Sequence, residues 1–163
     1  MTITVIIPTL NEASTIAATI GHTATLGFDE IVVVDGGSSD RTVAIVESFL
    51  SRTDPSAFTT VRLLIAPPGR GCQLNAGANT VCSDVLLFLH ADTKLPHGAR
   101  QHIESAVADS VVVGGRFDVQ FDSASIWSRM IAMFMNLRSR LTRISTGDQA
   151  MFVRRHVFER LGG

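Results

Sequence analysis

Short apolar runs alternate with amphipathic segments along the first half of the chain. Four runs are apolar almost without interruption, which is typical of strands buried on both faces of a parallel sheet, and they cover residues 3–8, 30–35, 61–66 and 84–90. Between them apolar residues recur every three or four positions, which predicts helices over residues 12–25, 40–50 and 70–80. This alternation predicts an α/β fold with a doubly wound, mainly parallel, Rossmann-like sheet.

The pattern changes after residue 95. A helix is predicted over residues 96–108, and strict alternation predicts a half-exposed, antiparallel strand over residues 116–121. A long helix is predicted over residues 124–141, then a short strand within residues 147–155 and a terminal helix, so the C-terminal part should be mixed. The apolar stripe of the long helix predicts a core-facing side; a basic helix lying on a membrane is the second interpretation, and the stripe includes Trp127, Met130, Met133, Phe134 and Met135.

Composition narrows the range of partners. The 163 residues fit one domain, 1–163, and a net charge of −1 argues against general nucleic-acid binding. The two cysteines are expected to be reduced, and the five histidines show no zinc-binding spacing. The chain starts without a signal peptide and contains no apolar run of about 18 residues. We therefore expect a cytoplasmic location, with the inner face of the membrane as a second possibility.

Polar or glycine-bearing loops follow all four apolar strands, with the sequences PTLNE, DGGSSD, PPGRG and HADT. In an open parallel sheet these loops meet at the carboxyl edge, where ligands bind. No glycine-rich phosphate loop follows the first strand, so a phosphate ligand would need cations instead. The sequence offers two sources of positive charge: Arg70, and a divalent cation, Mg²⁺ or Mn²⁺, held by Asp92. One carboxylate can be enough for such a metal ion, because substrate phosphates complete its coordination shell.

These motifs resemble family 2 glycosyltransferases of the GT-A fold, in the family's order and across almost the whole chain. The segments that carry the resemblance are TVIIPTLNE, IVVVDGGSSDRT, GRGCQLNAGA, LLFLHADT and GDQAMFVRRHVFERLGG. More narrowly, they resemble the short bacterial branch associated with radical-SAM and selenium-domain proteins. The resemblance implies metal-assisted transfer of a sugar, with inversion, from a UDP- or GDP-sugar to an unknown acceptor hydroxyl.

The resemblance also implies a role for each matching position. The positions that line the nucleoside pocket are Pro8, Thr9 and Glu12. Asp35 matches the carboxylate that accepts a hydrogen bond from the imide N–H of the base. The positions that flank the base and the diphosphate are Arg70 and Asn75. In DGGSSD, Asp40 is interpreted as a helix cap, whereas Asp35 stands directly at the strand end and is interpreted as a ligand.

The sequence departs from the family pattern at two places. HADT matches the D-x-D motif, so Asp92 should touch the metal and the diphosphate, but His90 replaces the first aspartate and brings no negative charge when neutral. His90 can contact the nucleotide sugar or be structural. The family's C-terminal acidic motif, which supplies the base, is absent, and Asp148 is the carboxylate left for that role; a capped turn is its alternative. Two other functions stay open: a nucleotide-sugar-binding module without turnover, and a nucleotidyltransferase.

Overall fold

The computed structural model describes residues 1–52, 58–120, 125–142 and 149–163. Strands and helices alternate through these residues in the order β1 (Ile3–Thr9), α1 (Ile16–Ala24), β2 (Glu30–Asp35), α2 (Thr42–Arg52), β3 (Thr60–Ile65), α3 (Arg70–Asn79), β4 (Val85–Phe88), α4 (Ala99–Val107), β5 (Gly114–Arg116), α5 (Ile126–Thr142), β6 (Met151–Arg154) and α6 (Arg155–Leu161). None of the helices in these ranges has the length and apolar content that a membrane crossing requires.

The strands form one sheet in the order β3-β2-β1-β4-β6-β5. Strands β3, β2, β1 and β4 are parallel, whereas β6 is antiparallel to both of its neighbours, β4 and β5. The register sets Thr9 beside Asp35 and Asp35 beside Ile65, so β1, β2 and β3 end level at the carboxyl edge. The predicted mainly parallel sheet with a mixed C-terminal part is confirmed.

Apolar side chains cover both faces of the sheet at β1, β2 and β4, which explains why these strands are apolar almost without interruption, whereas the edge strand β3 is only partly buried. On one face, Val5 of β1 belongs to a core that includes Ile20 of α1 and Ile103 of α4. On the other face, Ile6 packs in a second core with Ala78 of α3. Val5 and Ile6, which are adjacent in β1, therefore pack into cores on opposite faces of the sheet, and helices lie on both sides of the sheet.

Helix α3 approaches the sheet closely because Gly77 has no side chain. A Cβ atom at Gly77 would lie 2.7 Å from Cγ2 of Ile6 and 3.0 Å from Cγ2 of Val34, both inside normal contact distance. This close approach brings the first turns of α3 against the ends of β1 and β2.

The bounds of α1 and β5 differ most from the prediction, while α4 begins at Ala99 instead of residue 96 and β4 ends at Phe88 instead of residue 90. Helix α1 begins at Ile16, not at residue 12, because the preceding residues form a turn in which the carbonyl of Glu12 accepts from the amides of Thr15 and Ile16 at 3.1 and 3.0 Å. Strand β5 covers Gly114–Arg116 and not residues 116–121; residues 117–120 are outside any strand, and residue 121 lies outside the described residues. The alternation in that segment matches an alternation in burial without strand pairing, since Phe117 and Val119 are half-buried and Asp118 and Gln120 are exposed.

The interpretation of the α5 stripe as core is also wrong. Trp127, Met130, Met133 and Phe134 are exposed, and the buried residues of α5 are Ala132 and Ser139. The apolar side of this helix therefore faces away from the protein.

Candidate functional site

The loops that follow β1 and β2 are joined by side-chain hydrogen bonds. Asn11, in the left-handed region with a φ of 59°, accepts at Oδ1 from the amide of Ser39 at 2.8 Å. Asp40 accepts from the amide of Ala13 at 3.1 Å and from that of Thr42, the first residue of α2, at 2.9 Å. Hydrogen bonds, first among them that from the Thr42 hydroxyl, hold the pKa of Asp40 below its usual value. The two loops therefore form one unit, and Asp40 has the structural role that the sequence suggested.

Asp35 lies at the end of β2 and is 1% exposed. Its Oδ2 accepts from the amides of Gly37 and Ser38 at 2.9 and 2.8 Å, and its Oδ1 accepts from the hydroxyls of Ser38 and Thr9. A carboxylate offers about four acceptor positions, so the loop after β2 and Thr9 of β1 together use all of them. A nucleotide base that bonds to Asp35 has to replace one of these partners.

Gln73 is a site residue that sequence reasoning missed. It is 3% exposed, and its Nε2 donates to the carbonyls of Thr9 and Val34, both at 2.8 Å. Gly36 leaves room for it, because a Cβ atom there would lie 3.0 Å from the Gln73 amide group. Gln73 therefore ties α3 to the ends of β1 and β2. In the sequence, Gln73 is a single glutamine in GRGCQL, and nothing in that pattern distinguishes it from an exposed glutamine on a helix.

Arg70, Pro8 and His90 line one small pocket. Arg70 is the exposed first residue of α3, and no hydrogen bond or ion pair to it is found in the part of the chain that the structure describes. Asn75 lies farther along α3, where its side chain is beside Gly163: a Cβ atom there would lie 2.9 Å from its Nδ2. The structure thus brings together predicted positions from the end of β1, the start of α3 and the loop after β4, and it places Asn75 elsewhere on α3.

Glu12 is held inside the turn before α1. Its Oε2 accepts from the hydroxyl of Thr15 at 3.0 Å, and the amide of Glu12 donates to the hydroxyl of Thr42 at 2.8 Å. These contacts give Glu12 a structural role in the joined loops, and its predicted contact with the nucleoside stays a prediction.

His90 and Asp92 follow β4 at the same edge. Nδ1 of His90 is 3.9 Å from Oδ1 of Asp92, whose side chain is 63% exposed. Within the described ranges, no three His, Cys, Asp or Glu side chains gather as a metal site would require. One exposed carboxylate beside an imidazole fits a divalent cation whose other ligands are diphosphate oxygens, and does not form a protein cage around the metal.

A cleft of about 860 Å³ opens beside Asp92. The lining of the cleft also contains Asp118, which pairs with Nη1 of Arg116 at 2.8 Å and with Arg140. Burial raises the pKa of Asp118, but the hydrogen bonds from the two guanidinium groups outweigh burial, and the pKa lies below its usual value. The charged residues that line the cleft are therefore Asp92, Lys94 and Asp118.

The predicted base, Asp148, lies outside the described residues. The next residue, Gln149, is buried and accepts at Oε1 from the hydroxyl of Ser139 at 2.7 Å. Gln149 and Ala150 both line the cleft that contains Asp92.

The fold matches solved glycosyltransferases of the GT-A type. The mannosyltransferase PcManGT from Pyrobaculum calidifontis, in complex with GDP-Man and Mn²⁺, superposes with a TM-score of 0.78 at 24% identity, over 99% of this chain and 46% of that one. TarS residues 1–349 of S. aureus, in complex with UDP-GlcNAc, gives a TM-score of 0.68 at 17% identity, over 99% and 48%. At these identities the similarity shows the fold, and the fold is GT-A.

The chain belongs to glycosyl transferase family 2, whose profile matches residues 4–162. A curated relative is the undecaprenyl-phosphate 4-deoxy-4-formamido-L-arabinose transferase of Yersinia pestis bv. Antiqua (strain Angola), 29% identical over 171 residues. The match covers 96% of this chain and 50% of that protein, so the chain spans about half the length of the relative.

Proposed function

We propose that this protein is a glycosyltransferase that moves a sugar from a nucleoside-diphosphate sugar, a UDP- or GDP-sugar, to an acceptor. The observation that carries the proposal is the meeting of Arg70, His90 and Asp92 at the carboxyl edge of a family 2 sheet, beside an open cleft. Two structural neighbours support it, since their structures contain GDP-Man with Mn²⁺ and UDP-GlcNAc.

In this proposal the edge of the sheet neutralises the leaving nucleoside diphosphate. Arg70 is free to pair with the diphosphate, because α3 presents it at its exposed first turn. Asp92 would hold a divalent cation, Mg²⁺ or Mn²⁺, which supplies Lewis-acid stabilisation of the leaving group when bound. Because neutral His90 adds no negative charge, Asp92 is the one carboxylate of this motif, and removing it should abolish the metal dependence.

The acceptor would enter through the cleft beside Asp92. We propose Asp148 as the base: it takes a proton from the acceptor hydroxyl, whose oxygen attacks the anomeric carbon as the nucleoside diphosphate leaves from the other side, with inversion. Support comes from its neighbours in the chain, since Gln149 and Ala150 line the same cleft as Asp92 and Gln149 is fixed by Ser139.

The acceptor we propose is linked to a membrane lipid, and the protein would then work at the inner, cytoplasmic face of the membrane. Support comes from the 29% identical relative, which is an undecaprenyl-phosphate sugar transferase. The radical-SAM and selenium-associated branch and a single domain over 1–163 stay predictions from the sequence motifs.

The test is calorimetric titration of UDP and GDP, each with and without Mn²⁺ or Mg²⁺. We expect metal-dependent binding of one nucleotide, weakened at least about tenfold in Asp92→Ala, which corresponds to about 1.4 kcal/mol. The matched control is Asp109→Ala, an exposed aspartate beyond α4, which should bind like the wild type. Binding that is unchanged in Asp92→Ala would contradict the metal assignment.

Turnover separates the alternatives. Transfer or hydrolysis of the nucleotide sugar that is lost in Asp148→Asn supports the glycosyltransferase. Nucleotide-sugar binding without any turnover would indicate a binding module. Release of pyrophosphate from a nucleoside triphosphate would indicate a nucleotidyltransferase.

A further inference from the structure

Helix α5 has its apolar side outside and its polar side inside. The apolar stripe is exposed: Trp127 by 73%, Ile131 by 53%, Phe134 by 56% and Leu141 by 76%. The residues that face the protein are mostly small or polar, namely Ser128, Ala132, Met135, Asn136 and Ser139. In a surface helix of a globular protein the apolar side normally packs on the core, so this arrangement is reversed.

Polar contacts fix this orientation. The side chain of Asn136 accepts from the amide of Val119 at 2.9 Å and donates to its carbonyl at 3.0 Å. Ser139 donates to Gln149 at 2.7 Å. The helix cannot turn its apolar side inward without breaking these bonds, and Val119 and Gln149 belong to the wall of the cleft beside Asp92. The exposed stripe is thus held next to the cleft.

The charge of α5 is entirely positive. The helix contains Arg129, Arg138 and Arg140 and no acidic residue, although the whole chain has a net charge of −1. Arg140 pairs with Asp118, whereas Arg129 and Arg138 are exposed, with no side-chain hydrogen bond or ion pair to any residue within the described ranges. Bulky apolar side chains flanked by the exposed Arg129 and Arg138 complement a surface that is apolar below and negatively charged at its boundary.

We propose that α5 docks on the surface of a bilayer that contains anionic phospholipids. Its apolar stripe lies in the interface, and Arg129 and Arg138 meet the lipid phosphates. With 17 residues and three arginines the helix lies on the membrane and does not cross it. The inference deepens the proposed function and rests on it for the lipid-linked acceptor, because docking through α5 sets the cleft at the membrane surface.

The protein carries its own reporter for this contact. Trp127 is the single tryptophan, and the chain has no tyrosine, so intrinsic fluorescence reports α5 alone. We expect the emission to shift to shorter wavelength, and quenching by acrylamide to fall, when vesicles of phosphatidylcholine and phosphatidylglycerol are added. Pure phosphatidylcholine vesicles should give a much weaker effect, and added salt should reduce the effect on the anionic vesicles.

Matched variants test the two parts of the surface separately. Arg129→Gln and Arg138→Gln should each weaken vesicle binding about fivefold, whereas the exposed Arg52→Gln in α2 should not change it. Phe134→Ser should weaken binding by roughly tenfold, whereas Val111→Ser, which is 82% exposed outside α5, should have no effect.

Three results would overturn the proposal. Emission that no vesicle changes would show that α5 does not meet lipid. A shift that depends on protein concentration without vesicles would show that a second copy covers the stripe. Tryptophan emission that is already at short wavelength without vesicles, at every protein concentration, would show that another part of the same protein covers the apolar stripe. The nucleotide titration tests the proposed function independently, because it is carried out without vesicles. If the protein binds nucleotide but not vesicles, only the membrane inference is wrong. If it binds vesicles but not nucleotide, only the proposed function is wrong.

Discussion

Replacing Gln73 tests whether one buried amide holds the site loops together. Gln73→Leu keeps the size of the side chain and removes both hydrogen bonds to the carbonyls of Thr9 and Val34. In this variant the carbonyl of Thr9 still accepts a hydrogen bond from the amide of Gly36. We therefore count the loss of two hydrogen bonds and do not count a further penalty for two carbonyls left without any partner. At about 1 kcal/mol for each bond, we expect the free energy of unfolding to fall by about 2 kcal/mol.

Denaturant unfolding measures this change, and the melting temperature should fall by roughly 5 °C for a chain of this size. The control is Gln101→Leu, the same substitution at an exposed position of α4, which should stay within about 0.5 kcal/mol of the wild type. Nucleotide titration of both variants shows whether the site depends on the link; we expect weaker binding in Gln73→Leu alone. A loss of less than about 0.5 kcal/mol at Gln73 would refute the reasoning.

The isosteric Gln73→Glu sharpens this test. A carboxylate at this position faces two carbonyl oxygens and only its protonated form can donate, so folding raises its pKa above the usual value of about 4.3. The folded state of this variant then binds more protons than the unfolded state, and its stability relative to the wild type should fall as the pH rises above about 4. A stability difference that does not vary with pH would contradict the two-acceptor geometry.

Two further predictions concern packing and charge. Gly77→Ala should lower the free energy of unfolding by about 1–3 kcal/mol, because the added Cβ would lie 2.7 Å from Ile6. The control is Gly71→Ala in the same helix, where the added Cβ meets nothing within 4 Å and the effect should be neutral or stabilising. Equal effects of the two substitutions in chemical unfolding would be inconsistent with the close approach of α3. Because the pKa of Asp118 is lowered in the folded state, its ion pairs stabilise the fold at pH values above the usual carboxyl pKa of 3.8, and this stabilisation is lost as the pH falls through the folded pKa. The stability difference between the wild type and Asp118→Asn should therefore shrink as the pH falls below the folded pKa. A stability difference that persists in acid would show that the ion pairs do not cause it.

The parallel part of the sheet is predictable because β1, β2 and β4 are buried on both faces and a polar loop follows each apolar run. Strand β2 occupies Glu30–Asp35, the same residues that the pattern predicts, and its polar loop gives the site its position. Proximity of Arg70 and His90 also follows from sequence, since parallel strands bring their carboxyl ends to one edge.

Other features depend on contacts that periodicity does not encode. Gln73 has the same local signal as an exposed glutamine, and only the close approach of α3 decides that it bonds to the sheet. The stripe of α5 has the helical period of a core face, but its inward side is fixed by Asn136 and Ser139, whose partners are remote in sequence. Periodicity identifies a stripe; it does not say which side of the helix the protein occupies.

The position of β6 has a consequence for synthesis on the ribosome. β6 lies between β4 and β5 in the sheet, and it pairs Arg154 with Val85, a partner almost seventy residues earlier. Until Met151–Arg154 emerge, β4 is an open apolar edge, of the kind that pairs readily with other chains. The parallel half of the sheet can therefore assemble before β6 is synthesised, and during that interval the β4 edge is open to pairing with other chains.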